Sequence, residues 1–222
     1  MPSVFLLRRT NRALLAAQRA LFEGKSIAGE RWVCVGASHR LHDAVPQIAA
    51  LRPDVIASDL RLLDGHALLL LRRLGRSRPR LLLLSAEAED PLLLDALAAG
   101  AQSYWLDGNP KLGLVTALHA CRHGRAPMSP ALARQVLQRM GLPRSEPLAA
   151  QNAAAAQDMA PAGAGLSRSD QHLLTLVAQG LLEGEIAQCW QMGIDEIGRR
   201  LATVYAALNM AQALGGAVSM KL

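Results

Sequence analysis

The chain has 222 residues, about half of them hydrophobic, which suits one large domain or two small domains with a buried core. No apolar run approaches the roughly 18–20 residues that cross a bilayer, so we expect a cytoplasmic protein with no membrane contact. The net charge of +6 favours nucleic acid as a partner, but the charge is unevenly distributed. Residues 1–140 carry 19 basic and 11 acidic side chains, whereas residues 166–222 carry four and five.

The first 125 residues alternate short apolar runs with segments of helical periodicity. The expected strands are Ser3–Leu7, Trp32–Gly36, Asp54–Ser58, Arg80–Leu84 and Gln102–Leu106. The expected helices lie near Asn11–Glu23, His39–Leu51, His66–Leu74, Pro91–Ala98 and Lys111–His123. This alternation predicts an α/β fold with a doubly wound, five-stranded parallel sheet. In such sheets the functional groups gather at the carboxyl ends of the strands.

The rest of the chain predicts a short helix, a linker and a second, all-α domain. Ser129 is the expected N-cap of the short helix, with Pro130 at its first position. An Ala/Pro/Gly-rich stretch follows, and Ser167 then caps the first helix of the second domain. The expected domains are residues 1–140, the linker 141–165 and residues 166–222.

Three stretches of the first domain resemble the receiver domain of bacterial response regulators. They are RPDVIASDLRLLDG (52–65), LLLLSAEAED (81–90) and AGAQSYWLDG (99–108). The resemblance implies that Asp59 occupies the position of the phosphate-accepting aspartate. It also implies that Ser85 is the hydroxyl that senses the phosphoryl group and that Tyr104 is the mobile switch aromatic.

The pocket departs from this family in the residues that carry its chemistry. The family's acidic pair at the end of the first strand is Arg8-Arg9 here, and its lysine is Asp107. An arginine at the metal position repels Mg²⁺ and pairs with Asp59, so we expect no metal and no phosphorylation by the usual route. Two interpretations remain open. Either Asp59 is a residue of the ancestral fold that is merely paired to arginine, or the pair imitates the metal-bound state and holds one conformation.

Residues 166–210 resemble the LuxR-type helix-turn-helix, without a gap. The matching positions are Leu166, Leu174, Ala178, Gly180, Glu185, Ile186, Ala187, Leu201, Tyr205 and Leu208. Together the two resemblances identify the chain as a LuxR-type (NarL/FixJ-like) response regulator with a degenerate, pseudo-receiver domain. The helix that enters the DNA major groove is expected near Gly193–Leu208.

The reading helix also departs from its family, because the pattern T-V-K-x-H appears as residues 196–200, EIGRR, after Asp195. Arg199, Arg200 and Thr203 remain as candidate DNA contacts. The alternative is that the two arginines pair with Asp195 and Glu196 across one helical turn and form a solvated face.

These features favour an atypical transcription factor of a two-component system that works without phosphorylation. We expect weak or partner-assisted DNA binding and a homodimer, with Ala211–Leu214 as a candidate contact. The alternative is a protein–protein interaction module that has lost DNA binding and docks a hetero-partner regulator. An enzyme is not expected, because the G-x-S-x-G, P-loop and H-E-x-x-H motifs are absent from the sequence.

The three cysteines, Cys34, Cys121 and Cys189, are widely spaced, with no C-x-x-C pair. They predict reduced packing thiols rather than a metal site, and no cofactor is expected.

Overall fold

The structure, a computed structural model, describes residues 1–10, 12–22, 26, 27, 29–75, 78–87, 90–106, 113–142, 161, 162 and 166–218. The chain forms two compact units. Unit 1 comprises Met1–Glu87 and Ala101–His123, and unit 2 comprises Ala88–Gly100 and Gly124–Leu222. Most of the expected linker, residues 143–160 and 163–165, lies outside the described residues.

The chain alternates strands and helices in its first half and is largely helical in its second half. The strands are β1 (Ser3–Leu7), β2 (Ser26–Ile27), β3 (Glu30–Arg31), β4 (Val33–Ser38), β5 (Val55–Asp59), β6 (Arg61–Leu62), β7 (Gly65–His66), β8 (Arg80–Ser85), β9 (Ser103–Leu106), β10 (Pro161–Ala162) and β11 (Leu166–Ser167). The helices are α1 (Arg12–Ala20), α2 (Leu41–Leu51), α3 (Ala67–Leu74), α4 (Pro91–Ala98), α5 (Leu114–Arg122), α6 (Pro130–Arg139), α7 (Arg168–Gln179), α8 (Glu183–Cys189) and α9 (Ile194–Val218). Helices α4 and α6–α9 belong to unit 2.

Unit 1 is built on a five-stranded sheet in the order β4-β1-β5-β8-β9, with every pairing parallel. The predicted doubly wound sheet is therefore confirmed. The chain leaves β1 toward β4 on one side and continues through β5 on the other, so the topological switch lies between β1 and β5. Short antiparallel ribbons, β2/β3 and β6/β7, occur in the connections and were not predicted.

Continuous apolar runs explain why these strands lie in the middle of the unit. Phe5–Leu7 in β1 and Leu81–Leu83 in β8 are fully buried, as expected for parallel strands covered on both faces. Trp32 packs into the same core beside Cys121. The second expected strand begins one residue later and ends two residues later than predicted, as Val33–Ser38.

The cysteines differ in their environments. Cys121 is buried, and burial raises the pKa of its thiol to about 12, which agrees with a packing role. Cys34 is partly buried, and burial raises its pKa despite a hydrogen bond to Gly36 and the nearby Arg19. Cys189 is exposed, so the prediction of a packing thiol is wrong there.

The loop after Asp59 closes on the start of α2. The β6/β7 ribbon presents Asp64, which accepts hydrogen bonds from the backbone nitrogens of Leu41 at 2.7 Å and His42 at 2.9 Å. These are two of the N–H groups that an α-helix leaves without an internal partner at its first turn. Asp64 therefore caps α2 from a distant part of the chain.

Two helices of unit 2, α6 and α7, begin at the caps that the sequence predicts. Ser129 accepts a hydrogen bond from the nitrogen of Leu132, and Ser167 accepts one from that of Asp170, so both predicted N-caps are confirmed. Gly180 ends α7 in the left-handed conformation, with φ of 103°.

Helix α9 differs from the expected reading helix because it continues to Val218 instead of ending near residue 208. Residues 209–214 are mostly good helix formers and contain no proline, so the sequence supplies no stop there. The side chains of Ala211–Leu214, the candidate dimer contact, lie outside the described residues. In the described part of the chain, every helix is too short or too polar to cross a membrane.

Candidate functional site

Two charged residues meet at the switch point of the sheet. Leu7 of β1 pairs with Ser58 of β5, so the residues that follow, Arg8 and Asp59, lie side by side at the carboxyl edge. This edge is where parallel sheets place their functional groups.

Both carboxylate oxygens of Asp59 have close partners. The Nε of Arg8 lies 2.8 Å from Oδ1, and the backbone nitrogen of Arg9 donates to Oδ2 at 2.5 Å. Arg8 is 4% exposed, so its charge is almost fully withdrawn from water. The side chain of Arg8 therefore makes the pairing that the sequence analysis expects, while Arg9 contributes through its backbone.

The residues around Asp59 do not fit Mg²⁺. A magnesium ion needs octahedral oxygen ligands at about 2.0–2.1 Å and is usually held through one or two carboxylates. The guanidinium of Arg8 lies against Asp59 instead, and its charge repels a divalent cation at the same place. The arrangement is an internally neutralised pair.

Ser85 and Tyr104, the other described residues named for the pocket, lie on β8 and β9, and Ser85 follows Leu84, which pairs with Asp59. The Ser85 hydroxyl donates to the carbonyl of Glu87 at 2.7 Å and accepts from its nitrogen at 3.2 Å. Tyr104, on β9, is 3% exposed and buried in its unit. Asp107 lies outside the described residues.

The three candidate DNA contacts on α9 all have intramolecular partners. Arg199 holds the carboxylate of Glu196 through Nη2 at 2.6 Å and Nε at 3.1 Å. Arg200 lies 3.8 Å from Asp170 and 3.9 Å from Glu196. The hydroxyl of Thr203 donates to the carbonyl of Arg200 at 2.7 Å. Of the pairings that the alternative named, those of Glu196 with Arg199 and Arg200 are present, whereas Arg200 also lies near Asp170.

Asp195 has a partner that sequence spacing did not indicate. Its Oδ1 lies 2.5 Å from Nη1 of Arg125. A Cβ on Gly198 would lie 3.2 Å from the Cβ of Arg125, and the nitrogen of Ala126 donates to the carbonyl of Gly198 at 3.1 Å. The missing side chain at position 198 thus leaves room for a backbone segment to lie on the first turns of α9.

This segment, residues 125–128, has further contacts within unit 2. The hydroxyl of Tyr205 donates to the carbonyl of Pro127 at 2.9 Å. Burial raises the pKa of Glu183, although a backbone hydrogen bond from Met128 and the charge of Arg125 oppose the rise. We call residues 125–128 the crossing segment. The sequence gave little indication of it, because its contacts join residues about 70 positions apart.

Comparison with known proteins agrees with this architecture. The DNA-binding transcriptional activator DevR/DosR of Mycobacterium tuberculosis is 27% identical over 186 residues, which cover 83% of this chain and 80% of that protein. The chain is therefore similar to a DNA-binding transcriptional activator over most of its length. No model of a protein family matches it.

Solved structures of response regulators share the fold of this chain. A LuxR-family two-component response regulator from an Aurantimonas species has a TM-score of 0.52 and 22% identity, covering 62% of this chain and 96% of that one. RcsB from Salmonella enterica serovar Typhimurium, bound to a promoter with a phosphomimetic, has a TM-score of 0.52 and 18% identity, covering 95% and 97%. DevR/DosR is described as a transcriptional activator, and the Aurantimonas protein as a two-component response regulator.

Proposed function

We propose that this protein is a transcription regulator whose receiver-like domain works without phosphorylation. The observation that carries the proposal is the Arg8–Asp59 pair, buried at the edge where a receiver would bind its metal and phosphoryl group. A carboxylate that is ion-paired with a guanidinium is held in its charged form and is a poor nucleophile. The pair supports a pseudo-receiver that is held in one state by an internal cation.

The proposal is tested by incubating the full-length protein with acetyl phosphate and Mg²⁺ and measuring its intact mass. We expect no added phosphoryl group, because the attacking oxygen is paired and the metal position carries a positive charge. The Asp59→Asn variant is the control. A mass increase in the natural protein that disappears in Asp59→Asn contradicts the proposal.

The domain arrangement that we propose is a receiver-like domain, residues 1–140, a linker, residues 141–165, and a helix-turn-helix domain, residues 166–222. DevR/DosR binds DNA, and one structural neighbour with a TM-score of 0.51 is a pair of RcsB dimers on two parallel DNAs. By analogy we propose DNA as a partner and a homodimer as the working form. Sedimentation at tens of micromolar protein, without any phosphoryl donor, is expected to give a dimer, and a monomer alone contradicts this part.

A second candidate function is a protein–protein interaction module that no longer binds DNA directly. The observation that favours it is the neutralised start of α9, where Arg199 is held by Glu196 and Asp195 is held by Arg125. A surface that draws affinity from phosphates needs uncompensated positive charge. In this case the protein would act by docking another regulator, and a gel shift with random DNA at low salt would show no complex.

A further inference from the structure

A cluster of two histidines and one glutamate lies in unit 1, apart from the Asp59 pocket in sequence. His119 is on α5 and His123 is the residue at its C-terminal cap, while Glu30 is on β3. Residues four apart on a helix share one face, so both imidazoles project toward the same side. The sequence analysis expected no metal site and did not single out this H-x-x-x-H pair, whose acidic partner comes from a distant hairpin.

The ligand atoms of the cluster are spaced as for a shared cation. The Nε2 atoms of His119 and His123 each lie 3.7 Å from Oε2 of Glu30. The two rings have centroids 4.4 Å apart, and the three candidate ligand atoms lie within 4.8 Å of one another. Nitrogen and oxygen atoms bound to one tetrahedral Zn²⁺ are separated by roughly 3.4 Å, given bond lengths of about 2.0–2.1 Å. The two histidine–glutamate distances have to shorten by about 0.3 Å, and the widest separation in the set by up to about 1.4 Å, to reach this value.

The carboxylate oxygen of Glu30 that does not face the histidines, Oε1, is already bound by Arg122. Nη1 of Arg122 donates to Oε1 at 2.7 Å, which turns Oε2 toward the two imidazoles. Within the described residues, Oε2 is buried and accepts no hydrogen bond. A buried carboxylate oxygen without a donor is unfavourable, and a cation between it and the imidazoles removes that cost. Arg122 thus orients the carboxylate of Glu30 through a hydrogen bond, as residues that contact the ligands of a metal site commonly do.

We propose that Glu30, His119 and His123 bind a divalent transition-metal ion of the Zn²⁺ type. Two imidazoles and one carboxylate form a set that zinc accepts with three protein ligands and one open position. Mg²⁺ and Ca²⁺ prefer oxygen ligands, so this site discriminates against them. The side chain of His123 is 45% exposed, which leaves a path for the ion and room for a water ligand.

The site would join the β2/β3 ribbon to the end of α5. Glu30 lies in that ribbon, and the C-terminal end of a helix favours positive charge. Because the ion binds the folded arrangement and not the unfolded chain, it is expected to raise the melting temperature in a concentration-dependent way. This inference is independent of the proposed DNA binding, because every ligand belongs to unit 1.

The experiment is a Zn²⁺ titration of the full-length protein, stripped with a chelator, by calorimetry. We expect one ion per chain and a higher melting temperature with Zn²⁺ than with an equal concentration of Mg²⁺. The His123→Gln and Glu30→Gln variants are expected to bind Zn²⁺ at least about tenfold more weakly, since even outer partners of a metal site contribute ten- to hundredfold. His123 is partly exposed, so its variant is expected to fold, and circular dichroism checks this.

The control variants replace possible metal ligands, a histidine and an exposed cysteine, that lie outside the cluster. His42 lies 3.3 Å from one carboxylate, that of Asp43, with a side chain that is 87% exposed. His42→Gln and Cys189→Ser are expected to leave Zn²⁺ binding unchanged. If the natural protein binds no Zn²⁺, if His123→Gln binds as tightly as the natural chain, or if only Cys189→Ser loses binding, the site is overturned. The cluster is then an ion-pair network between histidines and Glu30.

Discussion

At the scale of single residues, the position of one arginine decides what Asp59 does. Arg8 follows β1 directly, and Asp59 is the next residue of β5 after the one that pairs with Leu7. The guanidinium of Arg8 and the carboxylate of Asp59 therefore lie side by side. The pair lies almost entirely out of water, where an isolated charge is costly. The two charges therefore depend on each other for their stability.

Removing the carboxylate alone is expected to be strongly destabilising. Asp59→Ala removes the carboxylate that pairs with the buried Arg8, and losing one member of a buried pair typically costs about 3–5 kcal/mol. The free energy of unfolding is measured with urea. The matched control is Arg9→Ala, because the exposed Arg9 contacts Asp59 only through its backbone nitrogen. That change is expected within about 0.5 kcal/mol of the natural protein, and equal losses in the two variants contradict the pairing.

Restoring an acid at position 8 is expected to create a metal requirement. In Arg8→Asp two carboxylates face each other at the strand ends, and like charges at that distance need a cation. Mg²⁺ is expected to raise the melting temperature of Arg8→Asp and to leave that of the natural protein unchanged. Differential scanning calorimetry with and without Mg²⁺ checks this, and stabilisation of the natural protein refutes it.

At the scale of elements, the strands and their order follow from the sequence, whereas the contacts between distant segments do not. Continuous buried leucines such as Leu81–Leu84 predict a central parallel strand by themselves. The β6/β7 ribbon is only two residues on each side, too short for an alternating pattern. The ribbon places Asp64 at the start of α2, where it caps the helix, and this long-range contact has no signal in the sequence.

The cap that Asp64 forms on α2 gives a prediction with a defined pH range. Burial is the largest single effect and raises the pKa of Asp64, but the backbone hydrogen bonds, from His42 and Leu41 above all, together outweigh it, so the pKa lies below its usual range. A carboxyl whose pKa is lowered by folding stabilises the fold above the unfolded pKa, about 3.9, and that stability is lost as the pH falls through the folded value.

Asp64→Asn is expected to cost about 1 kcal/mol at neutral pH, as typical for a helix cap. The amide has one acceptor oxygen, whereas the carboxylate uses both of its oxygens. The difference from the natural protein is expected to shrink below about pH 3.9, as the native carboxyl takes up its proton. Asp43 lies in the first turn of α2, the turn that Asp64 caps. Asp43→Asn is therefore the control for removing a negative charge without removing the cap. A difference that does not depend on pH contradicts the cap.

The candidate sites show the same limit of sequence reasoning. Arg8 and Asp59 could be placed together from the sequence, because strand order alone brings the ends of β1 and β5 side by side. The crossing segment and the Glu30 cluster could not, because each depends on packing between residues far apart along the chain. Two histidines four apart were visible in the sequence, but only the fold supplies the carboxylate.

At the scale of the whole molecule, the excess of positive charge lies in a different part of the sequence from the expected DNA-reading helix. Residues 1–140 carry the excess of basic side chains, whereas residues 166–222 carry four basic and five acidic ones. Within unit 2, Arg125 and Arg199 are bound to Asp195 and Glu196. Few phosphates can be neutralised by α9 in this state, so the slope of log affinity against log salt is expected to be shallow.

DNA affinity is expected to rise when the reading face is returned toward its family's pattern. Glu196→Thr removes the carboxylate that binds Arg199, and Gly198→Lys adds a positive charge. The new Cβ would lie 3.2 Å from that of Arg125, so the Arg125 side chain has to yield by a few tenths of an ångström. We expect the double variant to bind nonspecific DNA about tenfold more tightly at low salt, by roughly 1.4 kcal/mol, the scale of one charge-assisted contact.

The measurement is a fluorescence anisotropy titration with random duplex DNA at several salt concentrations. Gly113→Lys is the control, because it adds the same charge in unit 1 at a position where a Cβ meets no atom within 4 Å. Arg199→Ala with Arg200→Ala is expected to abolish the affinity of the natural protein. A natural protein that binds a specific site at nanomolar affinity, with no gain in the restored variant, refutes the damaged reading helix. Glu196 and Asp195 would then act as base readers that accept hydrogen bonds from cytosine amino groups.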